Sequence, residues 1–245
     1  MLTFVKIPIG TGGGVRCTRC FKERTAEEFF DAARILGRVS EVVSAWQAGP
    51  GPNIAYTGAE PFRHPDLVGL VRGAVAAGVQ RMCLATDATA LPRGENAEGA
   101  VSAGVRHLEV TLLGGSAHTH DDLSGRPGSF DSAMEGIRAV RAAADALGVP
   151  FLICGRVHVG SHNVKDLPAM MVAFTQVGAS SVTLEFSGSV PKAVVRPWVG
   201  AAIETGIVNG VWVSLEGMSA AELGVNPLHD VRTMNIAEDA AGAVS

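Results

Sequence analysis

Short apolar runs alternate with longer segments of helical periodicity along most of the chain. The short runs contain β-branched and other apolar residues, and turn residues bound them, which is typical of strands. The runs that predict strands are residues 2–9, 54–57, 81–86, 107–112, 151–157, 181–186 and 210–215. The helical patterns between them predict helices at 27–46, 66–77, 97–103, 129–147, 166–177 and 191–204.

The start and end signals of these helices are visible in the sequence. Thr25 and Glu28 have the spacing of a capping box, which predicts the start of the first helix near residue 27. Gly78 is placed to end the second helix. The apolar residues that share one face of that helix are Leu67, Leu70, Val71, Ala74 and Val75. Residues 115–128 are rich in Gly and Ser and are predicted to form one long loop.

The order of the elements predicts an α/β fold. Strands that are separated by helices lie parallel, because each crossover returns the chain to the same edge of the sheet. Six such units without a glycine-rich dinucleotide fingerprint favour a partial (β/α)6 barrel over an open doubly wound sheet. We expect a single barrel domain over residues 1–235 and a flexible tail at 236–245.

Composition and charge exclude several classes of protein. The net charge of −4 argues against a nucleic-acid partner bound by bulk charge. No apolar run reaches the ~18 residues of a membrane helix, so no membrane partner is predicted. Four cysteines in 245 residues do not suggest a secreted disulfide framework, so a cytoplasmic location is expected. Cys83 and Cys154 fall early in predicted strands and are interpreted as small core residues.

A glycine-rich turn with a carboxylate follows the second predicted strand. Its sequence is Thr57-Gly-Ala-Glu-Pro61. Gly58 allows a ligand to approach the backbone closely, and Glu60 offers an anion to an ammonium group. The alternative is a tight turn with a solvated glutamate.

Two further loops carry residues with possible chemistry. Cys17 and Cys20 form a Cys-x-x-Cys pair after the first strand, which can bind metal, form a redox disulfide or be incidental. By loop position, His64 and His120 are the nearby candidates for additional metal ligands. Residues 118–130 are polar and form either a connection to a helix N-terminus or a lid over a pocket.

Arg156 lies within an apolar strand pattern, FLICGRVHV. A buried arginine requires an anionic partner. That partner is either a protein carboxylate, such as Glu109 or Glu185, or the carboxylate of a ligand.

Two segments together resemble the radical SAM superfamily. TGAEPFRHPDL, at 57–67, is similar to the family's strand-two segment, and residues 108–137 resemble the strand-four segment of its peptide-modifying and cofactor-maturing branch. The resemblance extends from about residue 2 to 188. It implies a partial (β/α)6 barrel, with a [4Fe–4S] cluster held by a CxxxCxxC loop and S-adenosylmethionine (SAM) held by a GGEP motif.

The resemblance implies roles for particular residues. Gly58, Ala59 and Glu60 match the positions that hold the amino group of SAM, and Thr111 matches the ribose side. Cys17 and Cys20 match two of the three cluster ligands. Arg156, which no family motif marks, is our candidate for binding the carboxylate of SAM.

Several positions depart from the family pattern. Gly13 stands where the first cluster cysteine is expected, and Arg19 replaces an aromatic residue. Ala59 replaces the second glycine of GGEP, and Asp87 replaces the asparagine of a TNG motif. Cluster irons are held by thiolates, and a glycine has no side chain to offer. A cluster held by two thiolates would be labile.

Three hypotheses follow, and the first is favoured. The chain is a degenerate, cluster-free member that uses a SAM-type pocket for ligand or partner binding, or for non-radical SAM chemistry, in a biosynthetic or peptide-modification pathway. Alternatively, it is an active radical enzyme whose cluster is held by Cys17, Cys20 and a non-cysteine or exogenous third ligand. Thirdly, it is a binding module that pairs with an intact radical SAM enzyme. The partner is a small molecule or a precursor peptide.

Overall fold

Parallel strands alternate with helices through the chain. The computed structural model describes residues 3–12, 26–93, 95–186 and 190–226. The strands are β1 (Val5–Pro8), β2 (Gly10–Thr11), β3 (Glu28–Phe29), β4 (Asn53–Thr57), β5 (Arg81–Thr86), β6 (Val105–Thr111), β7 (Leu152–Val159), β8 (Ser181–Phe186) and β9 (Trp212–Glu216). The α-helices are α1 (Ala32–Ala45), α2 (Leu67–Ala76), α3 (Asn96–Ala103), α4 (Ala117–Ser124), α5 (Ser129–Ala146), α6 (Leu167–Gln176), α7 (Lys192–Val208) and α8 (Ala220–Leu223). Two 3₁₀ turns lie at Pro61–Arg63 and Val164–Asp166.

The chain divides into two compact units. Among the described residues, the first unit contains 3–12, 26–93, 95–110 and 131–152. The second unit contains 111–130, 153–186 and 190–226. No helix in the described part of the chain is long and apolar enough to cross a membrane. The predicted tail at 236–245 lies outside the described residues.

The first unit is built on four parallel strands in the order β1, β4, β5, β6. Helix α2 packs on β5 and buries an apolar stripe. The buried residues of α2 are Leu67, Leu70, Val71 and Ala74. Tyr56 of β4 is fully buried, and its hydroxyl donates a hydrogen bond to the carbonyl of Leu70 at 3.1 Å. This bond gives the buried hydroxyl of Tyr56 a hydrogen-bond partner.

The second unit is built on three parallel strands in the order β7, β8, β9. Helices α6 and α7 pack together, and α7 packs on β9. At Gly155 in β7 an added Cβ would come within 2.6 Å of the Phe174 ring of α6, so this glycine permits close packing of helix on strand. The opposite face of the strands is polar, and the register aligns His158, Glu185 and Glu216 in one row across it.

Three local predictions were wrong. The first helix starts at Ala32 instead of residue 27, because Glu28 and Phe29 pair antiparallel with Gly10 and Thr11. Its N-cap is Asp31, whose side chain accepts a hydrogen bond from the amide of Ala33. Thr25, the other member of the predicted capping box, lies outside the described residues.

The loop predicted at 115–128 contains helix α4. The cysteines also differ from one another: Cys83 is buried as predicted, whereas Cys154 is only half-buried. Its Sγ lies 3.1 Å from the hydroxyl of Ser181.

Candidate functional site

The turn after β4 is held by close backbone contacts. Gly58 has a φ of 92°, in the left-handed region that favours glycine. An added Cβ at Gly58 would lie 2.3 Å from the carbonyl oxygen of Gly10. An added Cβ at Gly10 would in turn lie 3.0 Å from the Cβ of Ala59. The two glycines therefore let the end of β4 approach the strand that follows β1.

The carboxyl group of Glu60 is buried and hydrogen-bonded from two directions. Glu60 is 2% exposed, so the alternative of a solvated glutamate is wrong. Its Oε1 accepts bonds from the hydroxyl of Thr86 at 2.7 Å and the amide of Phe62 at 3.2 Å. Its Oε2 accepts a bond from the amide of Asp87 at 2.8 Å. These bonds join the Pro61–Arg63 turn to the carboxyl end of β5.

Charged residues surround Glu60. The carboxylate of Glu27 accepts a hydrogen bond from the Glu60 amide at 2.8 Å. The guanidinium of Arg63 lies 3.7 Å from Glu27 and 3.8 Å from Oδ2 of Asp87. Burial, followed by the negative charge of Asp87, raises the pKa of Glu60 to about 8. Glu60 is therefore predominantly protonated at neutral pH.

The turn that follows β5 is rigidly built. Oδ1 of Asp87 accepts hydrogen bonds from the amide and the hydroxyl of Thr89, at 2.9 and 2.6 Å. The hydroxyl of Thr86 accepts a bond from the amide of Ala88 at 2.8 Å. Ala88 has a φ of 62°, and no other non-glycine residue among those the structure describes has a positive φ. The left-handed conformation costs an alanine about 1–2 kcal/mol, so the surrounding bonds must hold it there.

Arg156, in the second unit, contacts two carboxylates. Its Nη1 donates to Oε2 of Glu185 at 2.7 Å and to Oε2 of Glu216 at 2.9 Å. Nδ1 of His158 lies 3.2 Å from the same oxygen of Glu185. The hydrogen bond from His158, together with Arg156, lowers the pKa of Glu185 to about 2. Of the two alternatives for Arg156, the structure contains the salt bridge to Glu185.

Side chains of the polar segment 118–130 accept hydrogen bonds from nearby backbone amides and from one hydroxyl. His120 is fully buried, and its Nδ1 accepts a hydrogen bond from the amide of Leu113 at 3.2 Å. The carboxylate of Asp121 accepts bonds from the amides of Gly128 and Phe130 at 2.6 and 2.9 Å. It also accepts a bond from the hydroxyl of Ser129 at 3.0 Å, at the start of α5. The structure therefore favours the connection to a helix N-terminus over the lid.

The side chain of Asn163 joins two loops of the second unit by hydrogen bonds. The side-chain amide of Asn163 donates to the carbonyls of Leu113 and His158, at 3.2 and 3.0 Å. Its Oδ1 accepts a bond from the amide of Gly160 at 2.9 Å. Asn163 is buried, and it fixes the chain that leaves β6 against the chain that leaves β7.

The predicted site residues fall into three groups. Gly58, Ala59 and Glu60 come together with the turn after β5 in the first unit. Thr111 is the last residue of β6, and both Thr111 and Arg156 belong to the second unit. Cys17 and Cys20 lie outside the described residues.

Sequence reasoning missed two charged members of the Glu60 cluster. Arg63 could have been identified from the sequence, since it stands three residues after Glu60 in the same segment. Glu27 could not have been identified in this way, because it precedes Glu60 by 33 residues.

Comparison with known proteins agrees with the motifs. The sequence model of the Radical SAM superfamily matches residues 7–162. An AdoMet-dependent heme synthase of Methanosarcina barkeri (strain Fusaro / DSM 804) is 33% identical over 128 residues, which cover 52% of this chain and 34% of that protein. A PqqA peptide cyclase of Ruegeria pomeroyi (strain ATCC 700808 / DSM 15171 / DSS-3) is 31% identical over 123 residues, covering 50% and 31%. The matched stretches thus span about a third of these relatives' own length.

Solved structures agree on the fold. Streptococcus suis SuiB bound to the precursor peptide SuiA has a TM-score of 0.67 at 10% identity, covering 88% of this chain and 49% of that one. SuiB bound to S-adenosylmethionine has a TM-score of 0.63 at 12% identity, covering 89% and 48%. These likenesses confirm the predicted α/β fold class. Because the family's sequence model covers more than half of the residues, this chain belongs to the radical SAM superfamily.

Proposed function

We propose that this chain binds SAM through the turn at Gly58, Ala59 and Glu60, and that it does so without a conventional [4Fe–4S] cluster. The observation that carries the proposal is the Glu60 carboxyl group. It is buried and bonded to the end of β5, so its orientation is set before a ligand arrives. A preoriented acceptor binds an ammonium group with a smaller loss of conformational entropy than a mobile one.

The cysteines of this chain do not fit the family's cluster. Three thiolates are required, and the sequence between β2 and β3 contains Cys17 and Cys20, with Gly13 at the position of the remaining ligand. Cys83 and Cys154 are each the third residue of their strand, so neither belongs to a strand-end loop. We therefore derive no reaction step through a cluster.

The residues of the first unit have separate tasks in this proposal. Glu60 accepts the hydrogen bond of the ligand's amino group, and Gly58 and Ala59 bring the backbone close to the ligand. Thr86 and the amide of Asp87 keep the Glu60 carboxyl group in place.

Two predicted contacts belong to the second unit. Thr111 as the ribose contact remains a prediction. Arg156 is a weaker candidate for the ligand carboxylate, because that carboxylate would compete with Glu185 and Glu216 for the guanidinium.

The pathway is proposed from the relatives. Their names describe a heme synthase and a peptide cyclase, and the SuiB structure holds a precursor peptide. We infer that this chain serves a biosynthetic pathway of that kind, with a small molecule or a precursor peptide as its partner. An intact radical SAM enzyme is the alternative partner.

Titration calorimetry of SAM into the metal-free chain tests the proposal. We expect the wild-type protein to bind SAM without iron. Glu60→Gln cannot ionise when the ammonium group binds, so its affinity should fall about 10- to 100-fold, the range for a hydrogen bond to a charged group. Glu41→Gln is the matched control, because Glu41 is exposed on α1 and pairs with Arg38. Equal affinity in the wild type and Glu60→Gln would remove Glu60 from the site.

Anaerobic reconstitution with iron and sulfide separates this proposal from its alternative. We expect no stable cluster. Close to four irons per chain, with an EPR signal that SAM perturbs, would instead establish an active radical enzyme. Its cluster would then be held by Cys17, Cys20 and a non-cysteine or exogenous third ligand.

A further inference from the structure

Two buried acidic residues are hydrogen-bonded to each other at the end of β5. Glu60 is 2% exposed and Asp87 is 4% exposed, and the amide of Asp87 is bonded to Oε2 of Glu60. Oδ1 of Asp87 is bound by Thr89, whereas its buried Oδ2 accepts no hydrogen bond from the described residues. Two negative charges this close in a buried place are unfavourable unless a proton or a cation compensates one of them.

The described charges around the pair do not provide full compensation. Arg63 is the nearby cation, 3.8 Å from Asp87, and it is shared with Glu27 at 3.7 Å. His64, at the end of the same 3₁₀ turn, accepts a hydrogen bond at Nδ1 from the amide of Asp66 and rests its ring against Phe29. The guanidinium of Arg63 is thus shared between Glu27 and Asp87.

We propose that Asp87 is a positioning residue that acts through Glu60: the two carboxyl groups share one proton in the ligand-free protein, and an ammonium group that binds at Glu60 displaces that proton into solvent. The inference rests on the proposed function, since it takes the amino group of SAM as the ammonium. The exchange is balanced, because one positive charge enters the pair and one leaves it.

The consequence is a coupling between ligand binding and pH. Below the pKa of Glu60, each bound ligand releases close to one proton, so the affinity rises about tenfold per pH unit. Replacing Asp87 by asparagine removes the negative charge that helps Glu60 to retain its proton. The pH at which Glu60 ionises should then fall, whereas a purely structural role of Asp87 would lower affinity equally at every pH.

Carboxyl ¹³C NMR of the full, ligand-free chain tests the shared proton. Glu60→Gln identifies the Glu60 resonance by its absence. We expect Glu60 to titrate near pH 8 in the wild type, and at least one pH unit lower in Asp87→Asn. The asparagine oxygen can keep the bonds from Thr89, so the fold should survive. If that variant does not fold, Arg63→Gln, which removes the nearby cation, should shift the titration in the alkaline direction.

Calorimetry of SAM binding in two buffers of different ionisation enthalpy tests the displacement. At pH 6.5 we expect close to one proton released per SAM bound by the wild type. The release curve of Asp87→Asn should shift by at least one pH unit toward acid, and that of the control Asp66→Asn, at the exposed N-cap of α2, should not shift. The ligand's own amino group titrates equally in all three proteins.

The outcomes distinguish this inference from the proposed function. SAM binding with no proton release, or with the same release curve in the wild type and Asp87→Asn, overturns the role of Asp87 and leaves SAM binding intact. An ordinary acidic titration of Glu60 in the ligand-free protein overturns the shared proton. Absence of SAM binding at every pH overturns the proposed function and the displacement with it.

Discussion

The buried Glu60 carboxyl group should make the stability of this protein fall as the pH rises. Its pKa is about 8 in the folded chain and about 4.5 for an ordinary glutamate. Below pH 4.5 the group is protonated in both states, so its protonation costs the folded state nothing. Between pH 4.5 and 8 the unfolded chain releases the proton and the folded chain retains it, which favours unfolding. Above pH 8 the penalty is constant.

The size of this effect follows from the width of that interval. Each pH unit changes the free energy of unfolding by ~1.4 kcal/mol, so the loss between pH 5 and 7.5 is about 3 kcal/mol. That is a large share of the ~5–15 kcal/mol that stabilises a typical domain. Glu60→Gln cannot release a proton and should lose this pH dependence. Its amide nitrogen faces the amide of Asp87, which adds a penalty of about 1–3 kcal/mol that does not vary with pH.

Urea denaturation at a series of pH values, followed by circular dichroism, measures both quantities. The informative number is the difference in unfolding free energy between the wild type and Glu60→Gln. This difference should change by about 3 kcal/mol from pH 5 to 7.5, because the wild type becomes less stable relative to Glu60→Gln as the pH rises. Two parallel curves would refute the assignment of a raised pKa to Glu60, whatever the offset between them.

Two more substitutions test the packing and the caps. Asp121→Ala removes the acceptor of three hydrogen bonds at the start of α5 and should cost about 2 kcal/mol in urea denaturation; an equal cost for Asp145→Ala, exposed on the same helix, would contradict this. Gly155→Ala places a Cβ against the Phe174 ring and should cost about 1–3 kcal/mol in the same assay. Adding Phe174→Leu should recover part of that loss, and strictly additive costs would show that the ring is not the cause.

Local signals in the sequence predicted most elements of the fold. Helix α2 and its end near Gly78 were predicted correctly, because an apolar stripe and a C-terminal glycine are signals from residues that are close together in the sequence. Helix α4 was missed because its sequence is polar; its signals are the Ser116 N-cap and Gly125 in the left-handed conformation. Glu28 was misassigned because its pairing with Thr11 is a contact between distant residues, which overrides the local capping pattern.

In the candidate site, too, the sequence predicted the local motif but not the contacts between distant residues. The motif around Glu60 was visible because its residues are adjacent in the sequence. Its environment was not, since Thr86 and Asp87 reach it across 26 and 27 residues. Burial decides the protonation state of Glu60, and burial depends on the whole unit.

The short antiparallel pair of β2 and β3 has a consequence for how this sequence can change. Gly10–Thr11 and Glu28–Phe29 are joined by their ladder, and Glu27 is bonded to the turn at Glu60. The stretch between them, residues 12–26, contains Gly13, Cys17 and Cys20, and residues outside it hold both of its ends next to the Glu60 turn. A substitution within residues 12–26 removes none of these contacts directly, because the residues that make them lie outside that stretch. The Glu60 turn can therefore keep these contacts in variants of this chain that differ in the cysteine segment.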